Sequence, residues 1–376
     1  MAMKDLITRS QVSAFRLARH HLAGGNPADL ATLCQDVCGI QSQVTSAAHM
    51  SLWARAHNLT RAEINSALWE SRTLVKTNCM RGTLHYLAAK DFAIYISALK
   101  TSRTRRALAF MATYGVTEKV ARDAMEAAIE ALRAGPRTRT NLNQHVLSQV
   151  KVGKKARVWF EKSWWGVVYL GIVDGLICYG AELEKNISLV RVDQWLPKQK
   201  RVSEQEAQQY LLRSYLRVYG PATLQDFSHW AGLSVLDAKA AGNWLNEELS
   251  EITVEGKKAL ILRDDYAQLR NSALEGRQLR LLPNFDAYLL AHAEKGHLVD
   301  PRFYKRVYRN QGWISPVVLL NGKVIGIWSI QRKGRRCSLE IEQFESFSKI
   351  IRAMIEAEAA SLGRFMETSW EIKFHR

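Results

Sequence analysis

Between residues 203 and 263 the apolar positions change period twice, and the changes outline a module. Ser203, with Glu206 three residues later, forms a capping box, and apolar residues at helical spacing run on to about Val218. Gly220-Pro221-Ala222-Thr223 breaks that spacing, and a second helix is predicted over 224–231. Gly232 supplies a tight turn, and Ser234 can cap a third helix to about Leu249. Two strand-like runs follow, 251–255 and 259–262, with Gly256-Lys257-Lys258 as the hairpin turn. Three helices with a glycine turn, then a hairpin, predict a winged helix-turn-helix.

The same order recurs less distinctly twice before. Over 7–88, helical stretches precede extended runs at 73–77 and 80–87. Over 89–181, helices start near Asp91, Thr117, Thr140 and Ala156 and end in an apolar run at 171–178. Beyond about Gln268 the pattern differs: strands are predicted at 278–282, 316–320, 324–330 and 337–341. Asn321-Gly322 is a two-residue hairpin signal between two of them, and a long helix is expected over 343–363. The expected class is α+β: three tandem winged helix-turn-helix units (1–88, 89–198, 199–266) and a C-terminal β-barrel-like domain (267–376) with a hairpin and a closing helix.

Charge narrows the partners. Lys plus Arg number 53 against 36 for Asp plus Glu, a formal excess of +17. Such an excess favours polyanions, of which nucleic acid is the commonest. The basic clusters lie at 100–106, 137–139, 151–157, 198–201, 302–309 and 332–336, between the apolar segments. That spread argues against a single membrane-surface helix. No run of about eighteen apolar residues occurs, and Met1 to Ser10 lacks a signal-like apolar stretch, so a cytoplasmic protein is expected. The five cysteines read as reduced, mostly buried thiols. Cys34 and Cys38 stand four apart, but nothing nearby completes a zinc set, and no metal or cofactor is expected.

Three stretches carry candidate chemistry. Gly39 ends a helix predicted over 28–38, and Ile40-Gln41-Ser42-Gln43 follows as a loop before a helix capped at Thr45 or Ser46. Residues two apart face one way only in an extended segment, so Gln41 and Gln43 would be presented side by side. In Met80 to Leu87, read with period two, Arg81, Thr83 and His85 share one face, suited to a phosphate or to orienting a water. Further on, Asp286 lies in Leu282-Pro283-Asn284-Phe285-Asp286. Lys305, Arg306 and Arg309 interleave with aromatics up to Trp313, a composition for backbone neutralisation and base stacking.

Taken together, Gly39-Ile40-Gln41-Ser42-Gln43, Leu52-Trp53-Ala54-Arg55, Met80-Arg81-Gly82-Thr83-Leu84-His85, Leu282-Pro283-Asn284-Phe285-Asp286-Ala287-Tyr288-Leu289-Leu290, Trp313-Ile314-Ser315-Pro316-Val317 and Gly326-Ile327-Trp328 resemble the AlkZ-type winged-helix DNA glycosylases. The resemblance spans nearly the whole chain. It implies three winged-helix units around a concave DNA channel and a monomeric enzyme acting on double-stranded DNA that contains alkylated or crosslinked guanine. It implies excision of N7-alkylated purines, unhooking of crosslinks or bulky adducts, and self-resistance to a DNA-alkylating natural product. The family's catalytic pair of glutamines falls on Gln41 and Gln43, with Ser42 where the family has an apolar residue. His85 and Asp286 are supporting candidates. Arg81, Thr83, Lys305, Arg306, Arg309, Trp313, Asn321 and Lys323 are the candidate DNA contacts, with the turn around Asn321-Gly322 probing the duplex. No lysine stands in the loop, so a monofunctional hydrolase without lyase chemistry is expected. The alternative is a non-catalytic winged-helix transcription regulator. A nuclease would need a carboxylate cluster, for which Asp264-Asp265 is the only adjacent Asp pair.

Overall fold

Asp29 accepts a hydrogen bond from Thr32 N and opens the helix Leu30–Asp36. Gly39, at φ +89°, then turns the chain into an extended segment. The computed structural model describes residues 6–375 except 26, 164–165 and 334–335. The start of the N-terminal segment and part of the 332–336 basic run therefore lie outside the described residues.

Strands β1 (Ile40–Gln41), β2 (Leu74–Asn78), β3 (Leu84–Ala88), β4 (Arg137–Thr138), β5 (Ile177–Leu183) and β6 (Asn186–Arg191) form one sheet, ordered β1-β3-β2-β5-β6-β4. The β2–β3 and β5–β6 hairpins belong to different thirds of the chain and join at Lys76 opposite Tyr179. Every residue of β2 and β3 is buried. The extended run expected over 80–87 is corrected at its start. Met80–Gly82 is a tight turn in which Arg81 takes φ 56°, and pairing resumes only at Leu84. Strand β6 was not anticipated.

The 203–263 module follows its capping boxes. Ser203 and Glu206 cap Glu204–Tyr219, Thr223 and Asp226 cap Leu224–Ala231, and Ser234 and Asp237 cap Val235–Trp244. Strands β7 (Leu249–Val254) and β8 (Lys257–Leu262) then pair as a hairpin. Its turn is Glu255-Gly256, both at positive φ, so Lys257 and Lys258 belong to the strand rather than the turn.

The C-terminal region is an open sheet rather than a barrel. Strands β9 (Leu279–Leu282), β10 (Val317–Leu320), β11 (Lys323–Lys333), β12 (Arg336–Gln343) and β13 (Glu371–His375) lie in the order β13-β12-β11-β10-β9. A barrel would require β9 to pair with β13, and these are the two edges. The helix Lys349–Met366 carries the chain from β12 back to β13, which pairs with β12 in parallel, as such crossovers require. That helix begins at Ser348, whose side chain accepts from Ile351 N, later than the expected 343. Asn321-Gly322 forms the anticipated two-residue turn, with Leu320 opposite Lys323.

The cores cross the sequence segments. One joins Leu33, Leu52 and Tyr86 to Leu281, Val317, Leu339 and Ile355. Another joins Val75 and Leu87 to Leu99, Leu211, Tyr215 and Trp230. The N-terminal segment is thus packed between the C-terminal sheet and the 203–263 module, and β1 lies at the edge of the large sheet.

Candidate active site

Gly39 fixes where the glutamines go. A Cβ at that position would lie 2.6 Å from Leu87 Cδ2 and 3.2 Å from Tyr86 O, so the turn presses directly on β3. The next residues pair with that strand: Ile40 opposite Tyr86 and Gln41 opposite His85. Ser42 N donates to Leu84 O at 2.7 Å, and the helix Thr45–Trp53 begins two residues beyond Gln43. The extended geometry expected for 40–43 is present, and side chains alternate along it. Ser42 points inward and is sealed, its hydroxyl without a hydrogen-bond partner among the described residues. Gln43 is exposed, and its Oε1 accepts a long 3.4 Å bond from Leu84 N. Gln41 is buried, 7% exposed, and its Oε1 accepts from Arg81 Nη2 at 2.9 Å.

His85 faces the same way as Gln41, because directly paired residues share a face of the sheet. Its Nδ1 lies 2.9 Å from Thr83 O, so Nδ1 carries the hydrogen and Nε2 is left with a lone pair. Burial, then the charge of Arg81, pulls its pKa down to about 3, so the ring is neutral at physiological pH. Thr83 is half-buried and donates to Met80 O. Arg81 does not project freely as a strand residue would. Its guanidinium bridges Trp230 O, at the end of the helix Leu224–Ala231, and Gln41.

The structure thus brings Gln41, Arg81 and His85 together, with Gln43 and Thr83 beside them. Asp286 is elsewhere. It is fully buried and bidentate to Arg55, 2.7 Å to each carboxylate oxygen. It also accepts from Ser51 Oγ and Tyr288 N. Those bonds pin the helix Thr45–Trp53 to the C-terminal sheet. Lys305 and Arg309 are exposed, Arg306 pairs with Glu342, and Trp313 stands 45% exposed with its edge against Phe285. The Asn321-Gly322 turn is packed down. Asn321 Oδ1 accepts from Gln278 N, and Gly322 leaves no room for a Cβ beside Tyr288 and Ser13. Lys323 is exposed.

Three features escaped the sequence reading. Arg55 is the counter-charge of Asp286, though its motif was noted. Trp230 is the anchor of Arg81. Lys295 is buried, donates to Leu289 O at 3.0 Å, and has its pKa pulled down by burial to about 7. Arg55 and Arg81 lie far in sequence from Asp286 and Trp230, and no periodicity betrays Lys295. Asp264-Asp265 opens the helix Arg263–Asn271, and Asp265 pairs with Arg19. Among the described residues no group of three or more His, Cys, Asp or Glu is arranged to hold a metal ion.

A mixed α+β chain with two amides on one extended segment at a sheet edge has known relatives. The sequence model of the family described as DNA glycosylase AlkZ-like matches residues 34–365. An interstrand DNA cross-link repair glycosylase of Streptomyces sahachiroi is 29% identical over 362 residues, 94% of this chain and 95% of that one. The solved Streptomyces sahachiroi DNA glycosylase AlkZ superposes with a TM-score of 0.87 at 26% identity, covering 98% of this chain and 100% of that one. The protein is a DNA glycosylase, an enzyme whose substrate is DNA. It belongs to the AlkZ-like DNA glycosylase family.

Proposed function

We propose that this glycosylase hydrolyses the N-glycosidic bond of N7-alkylated guanine in double-stranded DNA, including bulky adducts and interstrand crosslinks. The observation that carries the reading is the extended segment 40–43, with Gln43 exposed and the buried Gln41 paired opposite His85, while residues 39–46 contain neither a carboxylate nor a lysine. Neutral groups suit a base that is already cationic. Alkylation at N7 gives the purine a positive charge, so it needs no proton to depart. The C1′–N9 bond breaks with its electron pair passing to N9, which neutralises the base. A water oxygen bonds C1′, and its spare proton passes to solvent. The sugar is oxocarbenium-like on the way. Gln43, exposed, offers a carbonyl oxygen to orient that water and to face the developing positive charge. His85, neutral, adds a lone pair at Nε2.

A crosslinked guanine is tied to the opposite strand and cannot swing fully out of the helix. A site on an edge strand, rather than in a deep pocket, accommodates that restriction. The Streptomyces relative, named for interstrand cross-link repair, supports the same substrate class. A role in repair or in self-resistance to an alkylating natural product follows from that chemistry.

The finer architecture belongs to the same reading: winged-helix units over 1–88, 89–198 and 199–266, a C-terminal unit over 267–376, and a concave channel that a monomer lays on the duplex. Thr83, Lys305, Arg306, Arg309, Trp313 and Lys323 are its DNA contacts, while Asn321 holds its own turn. On the C-terminal sheet, among the described residues, Arg332 pairs only with Cys337, beyond the reach of β13, and is exposed, which makes it a further candidate contact. Duplexes carrying an N7-alkylguanine monoadduct, a crosslink or no damage test the proposal. Abasic sites from both lesions and none from undamaged DNA are expected, with no adduct trapped by borohydride. Tight binding without release from any alkylated duplex would overturn it.

A further inference from the structure

We infer that Arg81 is a positioning residue that holds the Gln41 amide with its oxygen inward, so that Gln41 enters the reaction as a hydrogen-bond donor to the departing base. The inference rests on the reading that Gln41 lies at the reacting nucleotide. A guanidinium has only donors, so the Gln41 atom 2.9 Å from Arg81 Nη2 must be the carbonyl oxygen. The amide cannot flip without placing N–H against N–H. Its NH2 group makes no hydrogen bond among the described residues and is left for a ligand.

Arg81 is itself fixed from outside the loop. Its Nη1 donates to Trp230 O, and its backbone stands in the left-handed region at φ 56°. Gly232 packs so closely that a Cβ there would lie 3.0 Å from both Arg81 N and Arg81 Cα. The end of the helix Leu224–Ala231 therefore holds the guanidinium, and the guanidinium holds the amide. Burial lowers the Arg81 pKa to about 10, which leaves it charged at physiological pH.

The charge decides what Gln41 can do. A carbonyl already bound to a cation is poorly placed to stabilise a second positive charge on the sugar. The same cation polarises the amide and strengthens its N–H as a donor. As the C1′–N9 electron pair drains into the purine, N3 or O6 of the base gains electron density and accepts that hydrogen bond. The two glutamines then divide the work: Gln41 faces the leaving base, and Gln43 faces the water and the sugar.

The test compares single-turnover release of N7-methylguanine from a saturated duplex by wild type, Gln41→Ala, Gln41→Glu, Arg81→Ala and Arg81→Lys, with duplex Kd and melting temperature measured alongside. Glutamate keeps the oxygen that Arg81 holds and strengthens that pairing, but it has no N–H. Q41E is expected to be as slow as Q41A, both about a hundredfold down, the usual effect of one lost donor, with Kd and melting unchanged. R81A should also be slow, R81K intermediate, and the losses of R81A and Q41A should not add. Q41E near the wild-type rate beside a slow Q41A would overturn the donor assignment while leaving the site in place. R81A at the wild-type rate but with a raised Kd would make Arg81 a phosphate contact and overturn the positioning role. A wild-type rate for Q41A would remove Gln41 from the site altogether. If R81A fails to fold, the comparison of Q41E with Q41A still decides.

Discussion

Ser42 is the residue least suited to its surroundings. Its side chain is sealed in the core with an unpartnered hydroxyl, and an unmade buried hydrogen bond costs about 1–3 kcal/mol. Ser42→Ala removes the hydroxyl without adding volume. It is expected to raise the chemical-denaturation midpoint and leave base release unchanged; a loss of release would give the hydroxyl a part in shaping the loop. Asp286 is the opposite case, fully satisfied by Arg55, Ser51 and Tyr288. Asp286→Ala strands a buried guanidinium and is expected to cost about 3–5 kcal/mol in denaturant, with normal release per folded molecule. A stable but inactive D286A would return Asp286 to the chemistry. The two-apart spacing of Gln41 and Gln43 was legible, because an extended loop makes i and i+2 neighbours. The bond from Arg81 to Gln41 was not. Arg81 reads as a strand residue on a solvated face until Trp230, far along the chain, is folded against it.

Among the elements, those set by local chemistry were legible and those set by packing were not. The helices of the 203–263 module start where their Ser/Thr and Glu/Asp pairs place them, since a capping box satisfies its own backbone. The Met80–Gly82 turn has no such local cause. A non-glycine residue at positive φ is held by tertiary contact, and period-two reading passed through it. Strand β13 was missed because it is short and half-exposed and pairs only with a strand returned by a long helix. The barrel expected from several consecutive strands fails because the edges β9 and β13 lie on opposite sides of the sheet. For the proposed site the decisive element is the turn at Gly39. Gly39→Ala would force a left-handed alanine against Leu87 and push β1 off β3. Release is expected to fall even where the circular-dichroism spectrum is retained; unchanged release would show that the loop does not depend on its pairing with His85.

At the scale of the whole molecule the chain joins a strongly basic surface to an interior rich in neutral histidine. Burial is the leading cause that holds His49 at a pKa of about 4, His85 at about 3 and His297 at about 2, and it keeps His20 and His292 well below the usual value. In the unfolded chain each regains a pKa near 6.5 and takes up a proton that the native state refuses. The histidine contribution to stability is therefore complete above about pH 6.5 and declines as pH falls toward the native values, by up to about 1.4 kcal/mol per histidine per unit. His229 is lowered by burial as well, and Asp91, Asp265 and Glu358, raised by burial, act the other way, three against six. Denaturant midpoints should drop steeply from pH 6.5 to 4.5; a flat profile would contradict neutral burial. The basic excess and the family both point to DNA, and the edge strand is the proposed place of reaction. That claim is tested most directly by Gln43→Ala beside wild type on a duplex carrying a single N7-alkylguanine, with alkali-revealed abasic sites read under single turnover. The account predicts release by wild type and a loss of about a hundredfold in the variant at unchanged duplex affinity. Release at the wild-type rate without Gln43 would contradict it.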